Sequence, residues 1–185
     1  MTAAATDERA AGLPLDRPSL EGRASRAAIW LVRIVVALVW LQGAGWKRPP
    51  DFGESTASGL YRYTAYAVDY PVFGPWKWFV QDIVLPNFTA FGWLVLITEA
   101  ALGAFLLIGL ATRFWAIVGA LQALAIGLSA ANGPNEFGGT YWLLVVANLA
   151  LFATAAGRVG GLDGVLRPAW RASRRRVSRW MAAFS

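Results

Sequence analysis

The sequence predicts an all-α integral membrane protein: a four-helix bundle with an outer loop containing short interfacial helices and a carboxyl-terminal amphipathic surface helix. Of the 185 residues, 57% are apolar and only 15% are charged, which departs from the usual composition of a soluble domain. The apolar residues collect into separate blocks, each about long enough to cross a bilayer core of roughly 30 Å. The arginines collect at particular ends of these blocks.

The apolar blocks are the predicted membrane spans. Several stretches within these blocks have almost no polar face. The alternative is a soluble helical bundle, in which every surface helix needs a polar face. The spans are predicted at residues 27–45, 88–111, 114–131 and 140–156, within a membrane domain of residues 27–157 that includes an outer segment of residues 46–87.

Residues 1–26 are predicted to be a disordered tail, because they are rich in Ala, Gly, Pro and charge. They do not resemble a cleaved signal peptide. Asp7, Glu8, Asp16 and Glu21 stand where such a peptide has a basic region.

The placement of the arginines predicts the orientation. Arg23 and Arg26 precede the first span, Arg113 lies between the second and third, and more arginines follow the fourth, whereas basic and acidic residues balance in the outer segment. The positive-inside rule therefore puts both termini in the cytoplasm.

The basic tail of residues 158–185 contains a predicted surface helix from residue 167 onward, with Pro168 at its first position. One face of this helix is apolar, and the other is basic through Arg171, Arg175 and Arg179. The pattern is typical of a helix that lies on anionic lipid headgroups, and a plain basic tail is the alternative. Beside a membrane span we expect lipid, not nucleic acid, as the partner.

The outer segment is crowded with aromatic rings. Helices are predicted at about residues 55–67 and 76–84, because prolines break the segment into short pieces. The rings form either an interfacial belt or a cap whose aromatic walls hold a flat lipophilic ligand. They are Tyr61, Tyr63, Tyr66, Tyr70, Trp76 and Trp78.

The chain contains no cysteine and no histidine, and its methionines are Met1 and Met181. This composition excludes disulfides, iron–sulfur clusters, haem ligation of the usual kind, and thiolate and imidazole metal sites. No covalently bound cofactor and no metal are therefore expected. A redox role requires a diffusible carrier, such as a quinone, or a carrier held by a partner.

Glu99 is the most informative residue, because it lies near the middle of the second span, about 16 Å from either end. A lone carboxylate at this depth costs several kcal/mol, so it needs a partner. The predicted partner is Arg33 of the first span. Arg33, Trp40 and Lys47 share one helical face, which is polar at both ends.

Other polar residues are predicted to face the same interior. The hypothesis gives catalytic roles to Glu99 and Arg33 and ligand-binding roles to Lys47, Gln42, Gln122, Asn148, Trp40 and Tyr66. Three explanations stay open: a buried salt bridge that sets helix register, a pocket for proton transfer or a quinone-like headgroup, and contacts with a second membrane subunit.

Several stretches of the chain resemble the DoxX/DoxD family. Residues 33–47, RIVVALVWLQGAGWK, resemble its first span, and residues 97–113, ITEAALGAFLLIGLATR, its second. Residues 157–166, GRVGGLDGVL, are similar to its ending, and residues 69–88 to the outer segment of its DoxD branch. The resemblance covers about residues 28–166 and selects Arg33, Lys47, Glu99, Gly103, Gly109 and Arg113.

The resemblance implies a bacterial or archaeal four-helix membrane protein, here a multi-pass protein of the bacterial inner (plasma) membrane. The DoxD branch is associated with a thiosulfate:quinone oxidoreductase and acts beside a second small subunit. The expected function is thus a subunit of a quinone-linked oxidoreductase, with another protein subunit or a second copy as partner. The alternatives are a non-catalytic scaffold for a partner enzyme and a small-solute or ion pathway in an oligomer.

Overall fold

A computed structural model of the chain describes residues 20–173 and 175–185, and these residues form an all-α fold without strands. The helices are α1 (Leu20–Gly45), α2 (Gly59–Asp69), α3 (Gly74–Phe79), α4 (Phe88–Ile108), α5 (Thr112–Ala130), α6 (Gly139–Thr154), α7 (Leu162–Ala172) and α8 (Arg176–Phe184). Short 3₁₀ turns occupy Glu54–Thr56, Leu85–Asn87 and Ala156–Arg158, and a π turn occupies Val80–Val84. Of the predicted disordered tail, residues 1–19 lie outside the described residues, and residues 20–26 are helical.

Four long helices form the predicted bundle. Helix α1 packs against α4 and α6, and α5 packs against the same two helices, which closes the ring. Glycines bring the helices close together, since a Cβ added at Gly103 would lie 2.4 Å from Leu41 Cγ. The buried core of this bundle is small and apolar and includes Val36, Trp40, Leu102, Leu106, Ala116 and Leu151.

Three helical stretches are long and apolar enough to cross a membrane: Gly22–Gly45, the run Gly74–Ile108 and Thr112–Ala130. Helix α6 has 16 residues and rises about 24 Å, slightly less than a bilayer core. Its outward side chains Leu143 and Val146 are exposed and apolar. This surface favours the prediction of a fourth span.

Helices α2 and α3 cover one end of the bundle, which we call the cap end. They confirm the predicted short helices of the outer loop. Trp76 of α3 donates a hydrogen bond from Nε1 to Ser129 Oγ of α5 at 2.9 Å, which fixes the cap to the bundle. Phe91, near the start of α4, packs against the buried cap residues Ala67, Val80 and Val84, so this end of α4 faces the cap.

The opposite end, which we call the basic end, carries the α4–α5 turn, the α6–α7 turn and helices α7 and α8. The prediction of a single helix from residue 167 is wrong. Helix α7 begins at Leu162 and contains Pro168, and it ends at Ala172, before α8 begins at Arg176. Helix α8 returns to the bundle, because the Phe184 ring meets the Phe114 ring of α5 edge to face at 6.0 Å.

Candidate functional site

A cavity of about 640 Å³ lies at the cap end, between the outer halves of α4 and α5 and the underside of α2 and α3. Helix α1 also contributes to the wall through Trp40 and Gly43, and Lys47 just after α1 completes this side. The walls are mostly apolar and aromatic, and the rings include Trp40, Trp46, Tyr63, Trp76, Phe79 and Phe91. A cavity of this size and lining is typical of a small-molecule site.

A buried ion pair lies on the cavity wall. Lys47 Nζ contacts Glu99 Oε2 and donates a second hydrogen bond to Gly43 O at 2.7 Å. The Lys47 and Glu99 side chains are only 3% and 2% exposed. Gln122 of α5 interacts with the same carboxylate. Glu99 is thus neutralised inside the protein, which is how a carboxylate is tolerated at this depth.

The prediction that Arg33 is the partner of Glu99 is wrong. Gly43 of α1 lies opposite Glu99, because a Cβ added at Gly43 would be 3.0 Å from Glu99 Oε2. Arg33 is ten residues earlier, about 15 Å along the helix axis and beyond the reach of its side chain. Lys47 follows the last residue of α1 by two positions and therefore lies at the correct end.

Arg33 instead organises the basic end. Its guanidinium donates hydrogen bonds to the carbonyls of Leu106 at 3.0 Å and Leu107 at 3.2 Å, the last turn of α4. It also donates to Gly160 O at 3.0 Å and Val159 O at 3.5 Å in the α6–α7 turn. Terminal helix carbonyls lack intrahelical partners, and the charge suits the negative end of the helix dipole.

Of the predicted site residues, four line the cavity, and they are Glu99, Lys47, Trp40 and Gln122. Asn148 lies apart from it, where it packs against Gly119: a Cβ there would be 2.2 Å from Asn148 Oδ1. The side chain of Gln42 is exposed and does not line the cavity.

Tyr66 does not line the cavity either. Its ring packs against Gly133, where an added Cβ would lie 2.4 Å from Tyr66 Cδ2. Its hydroxyl accepts a hydrogen bond from Arg62 Nε at 2.9 Å. Tyr66 therefore attaches α2 to the α5–α6 turn.

A sequence model of one family, described as the TQO small subunit DoxD, matches residues 29–183. The chain belongs to the DoxD family. This match reaches beyond the predicted limit at residue 166 and includes α7 and most of α8. Searches of curated proteins and of solved structures found no match.

The residues selected by the resemblance separate, in this DoxD chain, into the two ends of the bundle. Lys47 and Glu99 form the cavity pair, whereas Arg33, Gly109 and Arg113 lie at the basic end. Gly109 has a φ of 68°, and a Cβ there would be 2.2 Å from a guanidinium nitrogen of Arg33. Glycine is therefore required where the Arg33 fork crosses the end of α4.

Asp163 is a second residue at the basic end of this DoxD protein, and sequence reasoning gave it no role. Its Oδ1 accepts from Ala111 N at 2.7 Å and its Oδ2 from Thr112 N at 2.8 Å, so it caps α5 from another helix. A helix is usually capped by a residue just before its first turn, so the local sequence around α5 does not reveal a cap that comes from α7. Only the GRVGGLDG segment, already part of the resemblance, marked this position.

The cavity of this DoxD chain also holds a tyrosine–carboxylate pair that sequence reasoning missed. The Tyr141 hydroxyl of α6 donates to Glu136 Oε2 in the preceding turn, and both residues line the cavity. Their separation of five residues across a turn matches no helical period. The sequence therefore indicated only a turn at this place.

Proposed function

We propose that this chain is the membrane subunit of a quinone-linked oxidoreductase in a bacterial plasma membrane, and that its cap-end cavity binds the quinone headgroup. The observation that carries the proposal is the buried Lys47–Glu99 pair on the wall of an aromatic cavity. The basic end lies in the cytoplasm in this proposal, as the positive-inside rule predicts. The family description supports the same reaction class.

The charges of the cavity favour a neutral ligand. Its charged lining residues are one lysine, Lys47, and two carboxylates, Glu99 and Glu136. The ammonium is already paired, so a doubly charged oxyanion such as thiosulfate would meet uncompensated negative charge. A neutral quinone avoids this repulsion, and its flat ring suits the aromatic walls. We therefore assign the oxidation of the anionic donor to a partner subunit.

Quinone reduction consumes two electrons and two protons. The electrons come from the reduced donor through the partner. The Lys47–Glu99 pair holds one transferable proton, and its delivery to a reduced quinone oxygen leaves the pair with one negative charge. A proton taken from water then restores the pair. Tyr141 with Glu136 places a second proton source on the same wall.

Replacing Glu99 by glutamine removes the carboxylate of the proton-holding pair but keeps the shape of the side chain. In the complex purified with its partner subunits, we expect donor-dependent reduction of a short-chain quinone to fall about 10²–10⁴-fold, the usual effect of losing a general acid–base group. The KM for quinone should change much less than kcat. The measurement is steady-state kinetics of wild type, Glu99→Gln and a control variant, Glu54→Gln.

Glu54 is the matched control, because its exposed carboxylate lies in the outer loop outside the cavity and accepts only a 3.3 Å hydrogen bond from Thr89. Glu54→Gln should keep the wild-type rate. Equal rates for wild type and Glu99→Gln would exclude the proton role. Co-purification of a partner without any quinone reduction would support the scaffold alternative instead.

A further inference from the structure

Four arginines converge at the basic end from three separate segments. Arg113 is the second residue of α5, Arg158 lies in the turn after α6, and Arg167 and Arg171 lie on α7. The pKa of Arg158 is lowered by burial and by the charges of Arg113 and Arg171. Burial and the other three guanidinium groups likewise lower the pKa of Arg167. These arginines therefore repel one another.

Within residues 20–173 and 175–185, the carboxylate that acts on this cluster is Asp163. Asp163 is fully buried, and its two oxygens accept the Ala111 and Thr112 amides at the start of α5. One carboxylate committed to a helix cap does not balance four guanidinium groups. The cluster thus keeps a strong positive field at the basic end.

Contacts with the fold hold three of these arginines in place. Arg113 donates from Nε to Phe152 O at 3.3 Å and stacks over the Phe152 ring at 4.6 Å. Arg158 donates from Nη2 to Ser185 O at 2.8 Å, and Arg167 from Nε to Ala182 O at 3.4 Å. Arg158 also donates from Nε to Ser185 O at 3.2 Å, and the Arg171 side chain is exposed. A guanidinium has five N–H donors, so these contacts leave donors for an anion.

A groove of about 400 Å³ adjoins the cluster. Arg158 is its charged lining residue, and glycine backbone forms much of its floor. Two apolar residues that line the groove are exposed to the surroundings of the protein, Ile108 to 46% and Val165 to 73% of their surface. A ligand that fits this groove therefore needs an anionic group next to a hydrocarbon chain.

We propose that the basic end binds the phosphodiester headgroup of an anionic phospholipid. The phosphate is held between Arg113, Arg158 and Arg171, and an acyl chain covers Ile108 and Val165. Guanidinium forks match phosphate oxygens in geometry and charge. The bound lipid would offset the repulsion within the cluster and close the end of the bundle. This site is independent of the cavity and of the proposed reaction.

The test uses the full chain in nanodiscs that contain phosphatidylcholine with a minor fraction of phosphatidylglycerol, and it counts retained lipid by native mass spectrometry. Wild type should retain phosphatidylglycerol over phosphatidylcholine by about tenfold or more at low salt. The Arg113→Gln/Arg171→Gln variant should fall to about twofold or less. Arg23→Gln/Arg26→Gln, which removes equal charge near the start of α1, should keep the wild-type preference.

Three results would overturn the proposal. Equal losses in both double variants would indicate a diffuse field instead of a site. Thermal stabilisation by inorganic phosphate alone, without phosphatidylglycerol preference, would indicate a free-anion site. Absence of any preference in wild type would exclude the site even if the arginine variant does not fold. In wild type the preference should also weaken as salt rises, because salt screens exposed charges.

Discussion

Replacing Lys47 by methionine is expected to lower the free energy of unfolding by about 3–5 kcal/mol, the usual effect of leaving one member of a buried ion pair alone. The reason is the position of Glu99, whose carboxylate is 2% exposed and has Lys47 as its ion-pair partner. The measurement is reversible unfolding by SDS titration in mixed micelles. Donor-dependent quinone reduction by the purified complex should be lost together with the pair.

Two further variants separate the ion pair from the lysine alone. The double variant Lys47→Met/Glu99→Leu should regain most of the lost stability, since an apolar pair of similar volume replaces an ion pair at little cost. It should not regain activity. Lys77, the other lysine of the chain, lies on α3 outside the cavity lining, so Lys77→Met should be close to wild type. A single Lys47→Met variant as stable as wild type would contradict the structural role.

Replacing Arg33 by glutamine is expected to have a comparable effect on stability at the opposite end, about 3–5 kcal/mol. The guanidinium donates to four carbonyls from two segments, and its removal takes a donor from each of these buried or partly buried acceptors. Arg33→Lys should recover only part of the loss, because an ammonium cannot span the two segments as the planar fork does. SDS titration again measures the change.

The control for Arg33 is Arg26, an exposed residue two turns earlier on α1. Arg26→Lys should change the free energy of unfolding by less than about 0.5 kcal/mol. Quinone binding should survive in any Arg33 variant that folds, because Arg33 does not line the cavity. Loss of quinone affinity in a folded Arg33→Lys variant would contradict the separation of the two ends.

Sequence reasoning was able to predict the bundle and the need of Glu99 for a cation, because both follow from the free energy of transfer into lipid. It could not choose between Arg33 and Lys47, which share one helical face. That choice depends on the register of α1 against α4, and this register is fixed by close contacts such as Gly43 with Glu99 and Gly103 with Leu41. The composition and periodicity of a single sequence do not show how one helix is aligned against another.

The basic end shows a second limit of sequence reasoning. Proline at the first helical position is a favoured start, so Pro168 led to a helix that begins too late. The helix actually starts at Leu162, and Asp163 in its first turn accepts hydrogen bonds from the amides at the start of α5. Contacts between distant segments decide this boundary, and a local pattern does not encode them.

Quinone binding in the cap-end cavity is tested most directly by a variant in which a larger side chain fills that cavity. Ala125 of α5 lines the cavity, whereas its neighbour Leu124 points outward and is 38% exposed. The measurement is tryptophan fluorescence quenching by a short-chain quinone in nanodiscs that contain the full chain. Ala125→Phe should raise the Kd about tenfold or more through steric exclusion, and Leu124→Phe should leave it unchanged. Equal wild-type affinities in both variants would place the quinone elsewhere and contradict the account.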